Sequence, residues 1–159
     1  MKLHSFKQEQ ILPITLEKAW AFFSTPKNLN EITPEGLAFR IEQCEEGAMY
    51  EGQIISYRIR LAPLIWMRWV TEIKAIEERR AFVDEQRAGP YKFWHHRHFF
   101  EAVDDGVRMT DTVNYAVGWG PFGELAHLLF VRRQLQTIFG YRRKILEERF
   151  GGSANEEKK

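Results

Sequence analysis

The sequence predicts an α+β domain in which a curved antiparallel sheet of about seven strands wraps around one long C-terminal helix, with two short helices after the first strand. Three observations lead there. Apolar residues recur at helical spacing between residues 15 and 33, alternate with period two from residue 38 to 117, and return to helical spacing between residues 121 and 150. The period-two region breaks into about six runs joined by short polar turns, which favours a meander over parallel βαβ units. One face of such a sheet must be covered, and only the terminal helix is large enough to cover it. A strongly curved sheet and a single helix interdigitate incompletely, so a cavity between them is expected.

Taken in order, residues 3–11 read as a strand ended by Pro13. Thr15 is placed to cap a helix, with Glu17 in its first turn where a negative charge suits the helix dipole. Leu16, Ala19, Trp20 and Phe23 form its apolar stripe to about Ser24. Thr25 and Pro26 then open a second short helix whose Leu29 and Ile32 share a face, and Pro34 ends it. Phe39 and Ile41 alternate in the next strand, before a polar turn at residues 45–47. The run 52–61 sets Ile55, Tyr57, Ile59 and Leu61 on one face, and the run 65–76 keeps Met67, Trp69, Thr71, Ile73 and Ala75 in phase. Shorter strands are expected at 81–87, 92–101 and 107–117, punctuated by Ala88-Gly89-Pro90 and Asp104-Asp105-Gly106.

After Gly118, Gly120 and Pro121, the residues Phe122, Leu125, Leu128, Leu129, Leu135, Ile138, Phe139, Ile145, Leu146 and Phe150 trace one face of a helix. It would be about 30 residues and about 40 Å long. Arg132, Arg133, Arg142, Arg143 and Lys144 fall mostly off that stripe and are expected on a solvated face.

At 159 residues the chain has the size of one domain, expected over residues 1–150, with the small and charged stretch 151–159 as a disordered tail. A net charge of +1 gives no electrostatic case for nucleic acid or an anionic membrane. Cys44 is the only cysteine, so neither an intrachain disulfide nor a cysteine zinc cluster is possible. No signal-peptide core and no apolar run of about 20 residues occurs, and a cytoplasmic location is the expectation. The 12 Phe, 5 Trp and 5 Tyr suit a core, and equally the lining of a pocket for an apolar molecule.

Strand alternation puts Trp94, His96, His98 and Phe100 on one face. If Asp105-Gly106 forms a two-residue loop, His96 faces Tyr115, His98 faces Val113 and Phe100 faces Asp111; a three-residue loop would turn the histidines toward Asn114 and Thr112. The first register keeps Val107, Met109, Val113, Tyr115 and Val117 on the core face, with Asp111 the polar exception. His96, His98, Asp111, Asp84, Gln86 and Tyr115 would then form a polar island in an apolar cavity, beside Tyr57, Trp69 and Trp94 as its wall. Such a group serves acid–base chemistry, ligand recognition, or mutual satisfaction that braces the sheet.

His96-x-His98 with Asp111 supplies three potential metal ligands, but no fourth and no cysteine accompany them, so no metal and no cofactor are expected. His4 and His127 are isolated in sequence and read as ordinary surface or core residues. Neither a nucleophile elbow, a P-loop, a dinucleotide fingerprint nor an HExxH motif is present.

Four segments carry a family resemblance: FFSTPKNLNEITPEGLAF (22–39), FVDEQRAGPYKFWHHRHFF (82–100), RMTDTVNYAV (108–117) and IFGYRRKIL (138–146). Over about residues 3–150 the chain resembles the START and birch-pollen-allergen superfamily of helix-grip proteins, also called SRPBCC, and within it a bacterial branch of small ligand-binding domains. The resemblance implies a hydrophobic cavity for lipids, polyketides or isoprenoid-like compounds. Its members include carriers, cyclases, dehydratases and accessory domains. The expected partner is therefore a small hydrophobic molecule bound without a cofactor. The alternatives are a cofactor-free cyclase, dehydratase or hydrolase using His96 or His98 with Asp111, and a protein-interaction module with a vestigial cavity.

Overall fold

The computed structural model describes residues 2–34, 40–45, 47–62, 65–118 and 120–151. The first strand, β1 (His4–Leu12), leads into helix α1 (Leu16–Phe23). Thr15 caps α1 as expected, its hydroxyl oxygen accepting from the Lys18 amide at 3.3 Å. The second short helix is a single 3-10 turn, Pro26–Asn30. Thr25 does not cap it: that hydroxyl donates back to the Ala21 carbonyl at 2.8 Å. The strands β2 (Arg40–Gln43), β3 (Ile54–Ala62), β4 (Ile65–Glu77), β5 (Ala81–Ala88), β6 (Phe93–Val103) and β7 (Gly106–Ala116) follow. All seven pair antiparallel in one sheet, in the order β1-β7-β6-β5-β4-β3-β2. Phe39, the side chains of Leu61 and Phe122, and the tail beyond residue 151 lie outside the described residues.

Two details of the sheet differ from the sequence expectation and bear on the site. In β4, Ile73 faces Asp84 and Ala75 faces Val83, so Lys74 is an extra residue in the ladder. This bulge reverses the phase: Ala75 is exposed, and Ile76 packs on the core in its place. The β6–β7 loop is Asp104-Asp105, because Val103 pairs with Gly106. The register is thus shifted by two residues from the one expected, setting Trp94 against Tyr115, His96 against Val113 and His98 against Asp111. A shift of two keeps every side chain on its expected face.

Gly106 is fixed by its neighbours more than by its loop. Its φ is +130°, and a Cβ there would lie 2.1 Å from the Leu12 carbonyl oxygen. Gly106→Ala is therefore expected to destabilise the fold by about 2 kcal/mol, seen as a lower urea midpoint with an unchanged slope; a midpoint equal to wild type would refute this packing account.

The C-terminal helix is interrupted. A first helix, α2 (Gly120–Ala126), passes through a π-helical turn (His127–Val131) into α3 (Arg132–Phe150). The wider turn rotates the apolar stripe. Leu135, Phe139, Leu146 and Phe150 face the sheet, whereas Leu125, Leu128, Leu129 and Phe130 are exposed, Phe130 by 68%. The expected single stripe is thus split. Arg142, expected on the solvated face, is buried: it stands three residues after Phe139 and four before Leu146, on the sheet-facing side.

Side chains of β1 hold α3 in place. Gln8 Nε2 donates to the Phe139 carbonyl and Gln10 Nε2 to the Arg143 carbonyl, each at 3.0 Å. At its far end α3 packs with α1, Phe150 meeting Phe22 edge-on at 5.3 Å between centroids. The helix backbone comes nearest to the β1 edge of the sheet and stands away from β3, β4 and β5.

Candidate ligand-binding site

The space under α3 is a cavity of about 370 Å³. Its sheet side is Ile55, Tyr57 and Ile59 of β3, Trp69, Thr71 and Ile73 of β4, Phe82 and Asp84 of β5, and Trp94, His96 and His98 of β6. The helix side is Val131, Gln134, Leu135, Ile138, Phe139 and Arg142. Phe22, Phe23, Leu29 and Ile32 close it where α1 meets the sheet, and Pro90 and Tyr91 line it near the opposite end of β6. Such a volume, largely apolar with a few convergent polar groups, has the character of a small-molecule site.

The polar groups gather on one wall. Asp84 is paired with His96 across β5 and β6, His98 follows two residues later on the same face, and Asp111 lies across β7 from His98. Each histidine bridges the two carboxylates. His96 Nδ1 is 3.2 Å from Asp84 Oδ2, and its Nε2 is 3.0 Å from Asp111 Oδ1. His98 Nε2 is 3.1 Å from Asp84 Oδ2. His98 Nδ1 is 2.8 Å from Asp111 Oδ1, a close ionic approach that misses the hydrogen-bond direction. Trp94 Nε1 donates to the remaining Asp84 oxygen at 3.3 Å. Arg142 adds a cation: Nη1 is 3.9 Å from Asp111 Oδ1, the guanidinium lies over the Phe139 ring, and Nε has no hydrogen-bond partner.

Charge follows from this geometry. Burial works against the charged form of His96, but the Asp84 charge and the hydrogen bonds that the imidazolium donates to Asp111 and Asp84 overcome it and raise the pKa to about 9. Burial likewise disfavours both carboxylates, yet the facing imidazoles hold Asp84 and Asp111 well below the usual carboxylate range. At neutral pH the wall therefore carries a buried imidazolium between two carboxylates.

Tyr57, Trp69, Asp84, Trp94, His96 and His98 all line the cavity. Asp111 is 1% exposed and sits behind the histidines. Gln86 braces a loop: its Nε2 donates to the Tyr91 carbonyl at 2.6 Å and its Oε1 accepts from the Tyr91 amide at 3.2 Å. Tyr115 packs behind Trp94 and pairs its hydroxyl with His127 Nε2 at 2.9 Å. His4 and His127, isolated in sequence, stack at 3.6 Å between centroids, and His4 Nε2 lies 3.2 Å from Glu124 Oε2. Arg142, Gln134 and Tyr91 were not singled out by sequence as site residues. Only the helical spacing of Arg142 relative to Phe139 and Leu146 carried a usable signal.

No family model and no curated protein matches the sequence. Solved structures do match. TTHA0849 from Thermus thermophilus is 20% identical, with a TM-score of 0.65 over 94% of this chain and 99% of that one. A norcoclaurine synthase point mutant from Thalictrum flavum, in complex with a transition-state analogue, is 14% identical, with a TM-score of 0.64 over 93% of this chain and 96% of that one. The di-domain ARO/CYC StfQ of the steffimycin biosynthetic pathway is 10% identical, with a TM-score of 0.71 over 96% of this chain and 52% of that one.

The chain has the helix-grip fold of these structures. The element order expected from sequence is the helix-grip order, and the site lies in the grip itself. No described helix is long and apolar enough to cross a membrane.

Proposed function

We propose that this helix-grip protein binds a small hydrophobic or aromatic molecule in the cavity, with an oxygen-bearing end directed at the His96, His98, Asp84 and Arg142 wall. One observation carries the reading: a cavity of about 370 Å³, apolar on most sides, has its charged groups gathered in one place, Asp84, His96 and His98 on the sheet with Arg142 reaching toward them from α3. Tyr57, Trp69 and Trp94 would provide the aromatic faces, while Gln86 and Tyr115 support the wall from behind. The norcoclaurine synthase structure, which shares this fold, is in complex with a transition-state analogue, and that supports a small molecule as the occupant.

The test is displacement of an environment-sensitive fluorescent dye, with a cavity-filling variant as control. Ile138 lines the cavity from α3. Ile138→Trp is expected to weaken dye binding tenfold or more, about 1.4 kcal/mol or beyond, while native mass spectrometry of the wild type reports any co-purified small molecule. Unchanged dye binding in Ile138→Trp would sink the proposal.

A second reading is acid catalysis on the bound molecule. His96 faces the cavity and is cationic at neutral pH, with Nε2 on the enclosed Asp111 and Nδ1 on Asp84. The proton it can deliver is therefore the one it shares with Asp84, which also lines the cavity. A dehydration or cyclisation assisted by protonation of a ligand oxygen fits that state. Turnover surviving in His96→Gln would reject it.

A further inference from the structure

The arrangement of Asp84, His96 and His98 has a property that an ion-paired brace does not require. Each of the three residues offers one ligand atom within 4.8 Å of the others, and Asp84 Oδ2 faces both His96 Nδ1 and His98 Nε2. The two carboxylate–imidazole separations are 3.2 and 3.1 Å. Two donors bound to one cation at about 2.1 Å, and subtending about 90–100°, stand about 3.0–3.2 Å apart. Asp84 Oδ2 therefore already stands from each imidazole nitrogen at the spacing of adjacent corners of a coordination shell, and the two nitrogens lie within reach of the same ion.

The opposite side of each imidazole is also prepared. His96 Nε2 and His98 Nδ1, the nitrogens not turned toward Asp84, both lie against Asp111 Oδ1, at 3.0 and 2.8 Å. Metal-bound histidines are held as His96 is here, their second nitrogen hydrogen-bonded to a carboxylate that fixes tautomer and ring orientation; His98 Nδ1 faces the same oxygen without hydrogen-bond direction. The other oxygen of Asp84 is held by Trp94. Asp84, His96 and His98 line the cavity, whereas Asp111 is enclosed behind them. Two imidazoles and one carboxylate on one side, with open positions on the other, suit a divalent first-row transition ion.

We propose that Asp84, His96 and His98 form a mononuclear site for a divalent transition-metal ion in the cavity wall, oriented by Asp111 as a positioning residue. This departs from the metal-free expectation drawn from the sequence, which paired the histidines with Asp111 and lacked Asp84 as a ligand. Metal binding displaces to solvent the protons now shared between the imidazoles and Asp84. The open coordination positions face the apolar space. A bound ion there takes up a carbonyl, enolate or phenolate oxygen of the molecule in the cavity and polarises it as a Lewis acid. That last step rests on the ligand-binding reading above; uptake of the ion does not.

The test uses chelator-treated full-length protein and cobalt(II), followed by its visible absorption. One equivalent of cobalt(II) is expected to bind and to raise the melting temperature, and zinc(II) to displace it. Asp84→Asn and His98→Gln, which each remove a ligand, are expected to weaken cobalt binding by more than the roughly 10–100-fold that loss of an outer partner costs. His127→Ala, which removes a residue of the separate His4–Glu124–His127 cluster, is expected to leave it unchanged. Should a variant fail to fold, imidazole nitrogen NMR of wild type with zinc(II) reports directly: the His96 and His98 ring nitrogens shift and those of His4 and His127 do not. No uptake by wild type, or uptake abolished by His127→Ala and retained by His98→Gln, overturns the proposal. Dye binding by the metal-free protein is read in parallel, so loss of the ligand-binding reading is scored separately from loss of the metal site.

Discussion

Asp111→Asn is expected to destabilise the protein by about 3–5 kcal/mol, as seen for one partner removed from a buried ion pair. For a chain of this length that is a fall in melting temperature of roughly 10 °C. Asp111 is a side chain of an interior strand, 1% exposed, and it faces three cations or potential cations: His96, His98 and Arg142. Asparagine keeps the shape and loses the charge. The His96 imidazolium would retain only Asp84, and Arg142 would retain no anion within 4 Å among the described residues. Thermal unfolding followed by circular dichroism measures the effect. A change below about 1 kcal/mol would mean that the island is neutralised in some other way. A double variant that also replaces Arg142 with Met is expected to recover part of the loss, because it removes the orphaned guanidinium together with its partner.

The same wall predicts an alkaline loss of stability in the metal-free protein. His96 titrates at about 9 when folded and at an ordinary value of 6.5 when unfolded. Its contribution is therefore complete below pH 6.5, declines as pH rises, and is gone above about 9. The size is on the order of 3 kcal/mol. The two carboxylates act at the other end: their folded values are depressed, so their contribution is present above about pH 4 and is lost as pH falls further. His127, lowered by burial and then by the neighbouring His4, costs some stability below about pH 6.5. Urea unfolding between pH 6.5 and 9 isolates the His96 limb. The midpoint should fall steadily across that range in wild type, and His96→Phe should flatten the profile. A flat wild-type profile would show that the imidazolium is not held as described.

Much of the architecture was legible because it depends on local patterning. The alternation in β3 and β6, the Thr15 cap and the helical stripe from Leu135 to Phe150 each state their conformation within a few residues. The misplaced features depend on contacts distant in sequence. Whether the β6–β7 loop is Asp104-Asp105 or Asp105-Gly106 is not readable from alternation, because the two registers differ by two residues and keep the same faces. The bulge at Lys74 and the π-helical turn at His127–Val131 each change a phase without leaving a mark in the hydrophobic pattern. Of the candidate site, the sequence grouped His96, His98, Asp84 and Asp111, but it put Gln86 and Tyr115 with them, which the structure turns to Tyr91 and His127 instead. Parity could not reveal that Asp84 lies in front of the histidines and Asp111 behind them, nor that Arg142 reaches the same point from α3. Those are facts of depth, and depth is set by how the helix sits on the sheet.

The position of α3 along β1 also bears on how the molecule behaves toward copies of itself. An open sheet ends in two edges, here the nine-residue β1 and the four-residue β2. A long edge presents unpaired backbone groups on which another chain can add a strand, the first step of aggregation. Along β1, Arg143 of α3 donates to the Glu9 carbonyl, and the Gln8 and Gln10 side chains are tied into the helix backbone. The element that roofs the cavity thus also blunts the longer edge, while β2 offers too short a template to recruit a partner readily.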